Sequence, residues 1–517
     1  MARLPRRKRS AFRWLGSLGT LLVLLVALPA AGQDLASFER RTTVHKLANG
    51  WTFLIVEKPG APVFSFCTVA DVGSAQEVPG ITGLAHMFEH MAFKGTRNIG
   101  TRDWQGEQKA LAVVEASYQA WQSERMARRP DAKKLEALLA SFQKSQKEAA
   151  RFVVADEFDD ILSREGGVGT NATTGADDTK YFYSLPANKL ELFAYLESER
   201  FFHPVFREFY EERDVVQEER RAASESSGFG RLFEQFTIAA FQAHPYQHPA
   251  IGYVSDLQSF TATDAEAFFQ TYYAPANLVT AIVGDVKAAQ VVPLLEKYFG
   301  RIPARPAPAP LRTVEPPQTA EKVITLEDPA QPIYLEAYHK PANTDPDQAA
   351  YDAIDDILST GRTSRLYRSL VRDKKIAVDI DSFSGFPGDK YPNLMALLVV
   401  PAFGIDNERA QAAVREEIER LKREDVTPEE LTRFKTRAKA RLLRNLRTNQ
   451  QMAVRLADAQ TLYGDWRELF RSLDRLDKVT PADIRRVANQ TFQRSNRTVA
   501  MIVTQPQKKE TEKEQKP

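Results

Sequence analysis

The chain has 517 residues, 43% hydrophobic and 27% charged, with Lys+Arg 70 set against Asp+Glu 68. Two or more domains are expected at that length, and the near balance of charge argues against nucleic acid or an anionic membrane surface as partner. A single cysteine, Cys67, excludes an intrachain disulfide and any cysteine-based zinc site; it reads as a small buried hydrophobe.

At the N-terminus, Arg6-Arg7-Lys8-Arg9 precede an apolar run through Leu21–Leu28 and the small residues Ala30-Ala31-Gly32. A basic segment, an apolar segment and a small-residue site make residues 1–32 a secretory signal peptide, implying a periplasmic or secreted protein. The competing reading is an uncleaved membrane anchor, since Trp14 to Ala31 is nearly long enough to cross a bilayer. The first domain is expected over 38–302. It opens with a hairpin, Thr43–Leu47 and Trp51–Val56, turning at Asn49-Gly50. Val63 to Val72 then reads as an alternating strand ending at Gly73.

Next comes Gly83-Leu84-Ala85-His86-Met87-Phe88-Glu89-His90-Met91-Ala92-Phe93-Lys94-Gly95-Thr96, expected to be a helix with Thr82 as its N-cap. His86 and His90 are four apart, so on a helix both imidazoles share a face and can converge on one metal ion. Imidazole nitrogens suit zinc, and Glu89 beside them is placed to take a proton from water. The order His-x-x-Glu-His is the inverse of the H-E-x-x-H of zinc metalloproteases.

Residues 105–164 carry apolar positions at helical spacing (Leu111, Val114, Tyr118, Trp121; Leu135, Leu138, Leu139, Phe142) on either side of Pro130, which predicts a helical hairpin with solvated outer faces. Gly166–Thr174 and Asp177–Tyr183 read as a turn into a strand pair, and 188–201 as an amphipathic helix. The stretch Tyr210–Arg221 is a helix dense in carboxylates, on which Glu212 and Glu219, two turns apart, share a face. One carboxylate facing the histidines would complete a three-ligand site, with a second standing behind a ligand. The rest of this half is expected to alternate helix and strand up to Leu278–Val283, with His244 and His248 as structural loop residues. A Pro-rich linker spans 303–318. A second domain, 319–504, has strands at Val323–Leu326 and Leu394–Val400 and helices at 408–424 and 427–447. Residues 505–517 lack any apolar face and are expected to be disordered.

On Gly83-x-x-His86-x-x-Glu89-His90-x-x-Phe93-Lys94-Gly95-Thr96 and Glu212-Arg213-Asp214-Val215-Val216-x-x-Glu219, the chain resembles the pitrilysin and mitochondrial-processing-peptidase family of zinc metallopeptidases, the inverzincins. The resemblance implies an α+β fold: two related domains, each an antiparallel-rich sheet backed by helices, the first carrying the helical insertion and the second no metal motif. It also implies one zinc per chain held by His86, His90 and Glu219, with Glu89 as general base and Glu212 as supporting carboxylate; Glu218 is the rival third ligand. Asn171-Ala172-Thr173 resembles the family's edge strand, where an extended peptide or unfolded protein segment adds by main-chain hydrogen bonds. The implied activity is that of a zinc metalloendopeptidase, the alternative being a non-catalytic structural or assembly subunit. Two departures stand out. The separation of His90 from Glu219 exceeds the family's, and the 105–164 insertion accounts for it. In the segment Gly361–Val378, Arg372 matches a substrate-contacting arginine, but Val378 stands where the family has tyrosine. A partner supplying that contact is therefore expected, in a homodimer or a heterodimer with a related non-catalytic subunit.

Overall fold

The computed structural model describes residues 35–505; the expected signal segment and the tail beyond Gln505 lie outside the described residues. Helix α1 (Leu35–Arg41) leads into the hairpin β1 (Thr42–Lys46) and β2 (Thr52–Glu57). Its turn needs glycine: Gly50 has φ +100, and a Cβ there would sit 2.9 Å from that of Ala276. The chain continues through β3 (Val63–Ala70), α2 (Leu84–Met91), α3 (Trp104–Arg125), α4 (Ala132–Ala149) and α5 (Glu157–Arg164). Strands β4 (Val168–Thr174) and β5 (Thr179–Pro186) follow, then α6 (Leu190–Phe202), α7 (Phe209–Arg220), α8 (Gly228–Ala240), α9 (Val254–Leu257) and α10 (Ala262–Tyr272). The first half ends with β6 (Leu278–Gly284) and α11 (Ala288–Tyr298).

Residues 303–319 carry neither helix nor strand. They are nonetheless pinned, because Glu315 accepts the amide N–H groups of Gln242, Ala243 and His244. Beyond them lie β7 (Lys322–Asp328), β8 (Ile333–Lys340), α12 (Gln348–Ser359), a π-helical turn Tyr367–Asp373, β9 (Ala377–Phe386) and β10 (Asn393–Pro401). Helices α13 (Asn407–Arg423), α14 (Pro428–Asn445), α15 (Asn449–Tyr463), α16 (Glu468–Lys478) and α17 (Pro481–Thr491) precede the last strand, β11 (Arg497–Thr504).

The strands form two sheets, in the orders β1-β2-β6-β3-β5-β4 and β7-β11-β8-β10-β9. Apart from β1 the orders are equivalent. In each sheet the first and last strands of the unit pair in parallel, β2 with β6 and β7 with β11, and every other pairing is antiparallel. The fold is thus α+β with two related, antiparallel-rich sheets backed by helices.

The sheets are covered reciprocally. One face of the first packs on its own helices, with Phe64 and Phe66 against Phe193. Its other face, through Leu54, Cys67, Val69 and Ala281, packs on Met452, Leu456, Trp466 and Phe470 from the second half. In return, Leu232 and Phe236 of α8 cover one face of the second sheet against Leu335, Ala337, Leu394 and Ile502. Each fully buried large apolar side chain contributes about 1.5–3 kcal/mol, so without the other half each sheet would lose the burial of one of its two faces.

Four expectations are corrected. Side chains of β3 alternate in direction, but both faces are buried because α15 covers the second. Helix α6 is not simply amphipathic: every residue from Leu196 to Phe201 is buried. Between α7 and β6 the chain is helical and contains no strand, because α8 serves the other sheet. Thr82 is not the cap of α2; Gly83 holds that position at φ 94, and the Thr82 hydroxyl donates to Asp256 at 2.7 Å instead.

Candidate metal centre

Helix α2 is oriented by its apolar face. Leu84, Ala85, Met87, Phe88 and Met91 are buried, and the Phe88 ring packs on Phe269 and Tyr273 at centroid distances of 5.1 and 4.2 Å. His86 and His90 therefore project from the opposite side, their ring centroids 4.8 Å apart. Two carboxylates anchor the start of the helix. Glu77 accepts the amides of Gly83 and Ala85 at 2.8 and 2.7 Å, and Asp256 accepts those of Gly80 and Thr82 at 2.9 and 3.1 Å. After the helix, the buried Arg207 guanidinium donates to the carbonyls of Lys94, Thr96 and Ile99 at 2.6 to 2.9 Å. Gly95, at φ +90, is required there, since a Cβ would lie 2.4 Å from the Ile99 oxygen.

Helix α7 brings the carboxylates. Glu219 Oε2 lies 3.6 Å from His90 Nε2 and 3.9 Å from His86 Nε2, and one ligand atom from each of the three residues lies within 4.8 Å of the others. Seven residues earlier on the same face, Glu212 Oε1 accepts from His90 Nδ1 at 2.8 Å while its Oε2 meets Lys94 Nζ at 2.7 Å. A carboxylate can only accept there, so Nδ1 carries the proton and Nε2 keeps its lone pair for a metal. Glu89 Oε2 accepts the Thr174 hydroxyl at 2.5 Å, which ties the end of β4 to the motif.

The electrostatics suit a cation. Burial, aided by the neighbouring His90, lowers His86 to about 4, so its imidazole is neutral at pH 7. Its Nδ1 is buried without a hydrogen-bond partner among the described residues. Burial also opposes charge on His90, but the carboxylates of Glu212, Glu219 and Glu89 outweigh it and raise the ring above its ordinary value. The hydrogen bond from His90, then that from Lys94, holds Glu212 down at about 2 against burial. Burial raises Glu89 above the usual carboxylate range, against the Thr174 bond. Two imidazole nitrogens and one carboxylate are a zinc donor set, and their spacing approaches the roughly 3.4 Å that separates ligands around a tetrahedral zinc with bonds of about 2.0–2.1 Å.

Glu218 points elsewhere: it is exposed and paired to Arg221 at 2.5 and 2.8 Å. Asn171, Ala172 and Thr173 lie on β4, the outermost strand of the first sheet, bonded to β5 on one side only. Arg372 and Val378 are not brought to the histidines. Arg372 is exposed in the second half and among the described residues bonds only its neighbour Asp373, and Val378, 61% exposed, is the second residue of β9. His244 is buried against Phe241, Tyr246 and Tyr391, a packing role. Glu77, Arg207, Asp256 and Thr174 were not legible as contributors, since isolated polar residues at loop and strand ends carry no periodic signal; only Thr174, adjoining Asn171-Ala172-Thr173, had a neighbouring motif to point to it.

Fold and site define a class: a two-sheet α+β chain with a His-x-x-Glu-His helix facing a glutamate-bearing helix. Comparison with known sequences agrees. The family described as insulinase (peptidase family M16) matches residues 52–121, and the peptidase M16 inactive domain matches 259–438. The first match stops inside α3, so the segment holding Glu219 lies between the two. The chain is 29% identical to the zinc protease PqqE of Helicobacter pylori over 94% of its own length and 98% of that protein's. A crystal structure of a protease from Helicobacter pylori aligns at TM-score 0.75 and 26% identity, covering 89% of this chain and 99% of the other. The periplasmic protease PqqL of Escherichia coli shares the fold at TM-score 0.66 and 18% identity, this chain spanning 48% of its length. Both halves of the chain are thus similar to M16 peptidases, the pitrilysin-like insulinase group.

Proposed function

We propose that the chain is a zinc-dependent endopeptidase acting on peptides or unfolded protein segments, with His86, His90 and Glu219 as zinc ligands and Glu89 as general base. The observation that carries this reading is the convergence of two imidazole nitrogens and the Glu219 carboxylate beside Glu89, itself tied to an edge strand. When bound, zinc supplies a Lewis acid that polarises a peptide carbonyl and acidifies water. Glu212 fixes the His90 tautomer and orients its ring. Glu89 keeps Oε2 on the Thr174 hydroxyl, leaving Oε1 to take a proton from water and return it to the departing amine. The raised carboxyl suits a group that must both accept and release that proton. A substrate adding to the free edge of β4 through Asn171, Ala172 and Thr173 runs past Thr174 and hence past Glu89.

Val378 stands where the family has tyrosine, so a partner chain is the source of that substrate contact, in a homodimer or a heterodimer with a related non-catalytic subunit. The basic, apolar and small-residue pattern of residues 1–32 supports export to the periplasm or beyond, in keeping with the periplasmic description of PqqL. Among the described residues no helix is long and apolar enough to cross a membrane. The test is cleavage of a peptide library by the purified chain, alone and with candidate partner subunits. Chelator-sensitive cleavage that returns with zinc is expected; no cleavage under any pairing would overturn the peptidase reading. Full activity from a monomer would remove the dimer.

A further inference from the structure

Helices α3 and α4, inserted between His90 and Glu219, pack on the back of α7. At 100° per residue, Glu212 and Glu219 lie within about 20° of each other around α7, with Glu211 about 100° to one side, Arg213 about 100° to the other and Tyr210 about 160° away. The insertion grips those last three. Tyr118 of α3 is fully buried, with its ring 4.0 Å from that of Tyr210. Its hydroxyl accepts from Arg213 Nη1 and donates to the Gln258 carbonyl at 3.1 Å, while the Arg213 guanidinium stands over both tyrosine rings at 4.9 and 5.0 Å. Tyr210 donates to Glu115 of α3 at 2.6 Å, and Gln146 of α4 donates to Glu211 at 2.7 Å. Just ahead of α7, Arg207 and Glu107 of α3 form a buried two-point ion pair at 2.8 and 3.1 Å.

Glu219, by contrast, has no hydrogen-bond partner among the described residues, only the two imidazoles at 3.6 and 3.9 Å. Its position is inherited from the helix. For a carboxylate about 6 Å from the axis, a 10° turn of α7 moves the ligand atom by about 1 Å, several times the roughly 0.2 Å tolerance of a metal bond. We propose that the insertion is a brace for the third metal ligand and that Tyr118 is a positioning residue acting on Glu219 through α7. This rests on the zinc reading above.

The test is zinc affinity, measured by competition with a chromophoric chelator, with far-UV circular dichroism and Tm alongside. Tyr118→Ala is expected to weaken zinc binding about tenfold, the low end of the range for residues that orient ligands, and Gln146→Ala, which loses a single hydrogen bond to α7, by less than that. Tyr118→Phe, which keeps the ring stack, falls between Tyr118→Ala and wild type. Val113→Ala, on the exposed side of α3, leaves affinity unchanged. If Tyr118→Ala does not fold, Tyr118→Phe and Gln146→Ala carry the test. Folded variants with lowered Tm and wild-type zinc affinity would overturn the brace alone. A wild-type chain that binds no zinc would overturn the brace together with the reading it rests on.

Discussion

Replacing Glu212 by alanine removes a side chain that faces an imidazole N–H and a lysine ammonium and touches no substrate-binding strand. Its carboxylate is 14% exposed, accepting from His90 Nδ1 at 2.8 Å and from Lys94 Nζ at 2.7 Å. Loss of the first contact frees the His90 tautomer and lets the ring turn. Removing such a partner typically lowers metal affinity 10- to 100-fold, or about 1.4–2.8 kcal/mol. Loss of the second leaves Lys94 with only Glu208 at 3.5 Å, a further cost of about 1.5–3 kcal/mol that falls on stability. Glu212→Ala should therefore bind zinc at least tenfold more weakly and melt earlier. Glu212→Gln, which retains one acceptor for His90, should lie between it and wild type. Glu218→Ala, six residues on and paired only to Arg221, is the control and should match wild type. The assay is chelator competition at constant pH and ionic strength, with Tm recorded on the same samples. Zinc affinity for Glu212→Ala within twofold of wild type, or an equal loss in Glu218→Ala, would refute the assignment of Glu212 as the support of His90.

Glu89→Gln should keep its zinc and lose about 10²- to 10⁴-fold in cleavage rate; activity near wild type would sink the general-base assignment. Burial pushes the Glu77 carboxyl from 4.5 up to about 8, so the folded state holds a proton that the unfolded chain releases. That stabilisation is complete below about 4.5 and is lost as pH rises towards 8, so in chelator-treated protein Glu77→Gln should gain stability relative to wild type across this window, by up to about 1.4 kcal/mol per pH unit. A pH-independent difference in denaturant melts would exclude the mechanism. Asp177 accepts the amides of Asp389 and Lys390 at 2.6 and 2.9 Å and the Tyr246 hydroxyl at 2.6 Å, joining the halves. Its replacement by alanine leaves three donors without their acceptor and should cost about 3 kcal/mol; a loss below about 1 kcal/mol would mean that the shared apolar cores alone hold the halves together.

The helix of His86 and His90 is legible in the sequence because two constraints coincide in eight residues: an apolar stripe that dictates which side is buried, and a four-residue spacing that puts both rings on the other. Glu212 and Glu219 are legible by the same geometry, seven residues and two turns apart. Strand positions are equally readable where a short apolar run stands out, as in β6 and β10. The reciprocal covering of the sheets is not. Periodicity tells which side of α8 or α15 is apolar, and nothing in it says that the surface it meets belongs to the other half of the chain. For the same reason β3, whose second face is covered by α15, looks like a half-exposed strand. Thr82 is misread as a cap because its partner, Asp256, is 174 residues away, and Glu77 and Arg207 act through loop backbone that no pattern marks. Arg372 makes no hydrogen bond or ion pair to the metal-site residues among the described residues, its guanidinium being paired with its own neighbour Asp373.

The account turns on one zinc held by His86, His90 and Glu219. Elemental analysis of the purified chain, beside His86→Ala, His90→Ala and Glu219→Ala, tests it most directly. One zinc per chain is expected in the wild type, with none retained after gel filtration by the histidine variants and a sharply reduced content in Glu219→Ala. A wild-type chain free of zinc after incubation with the metal, or histidine variants that still retain one zinc per chain, would contradict it.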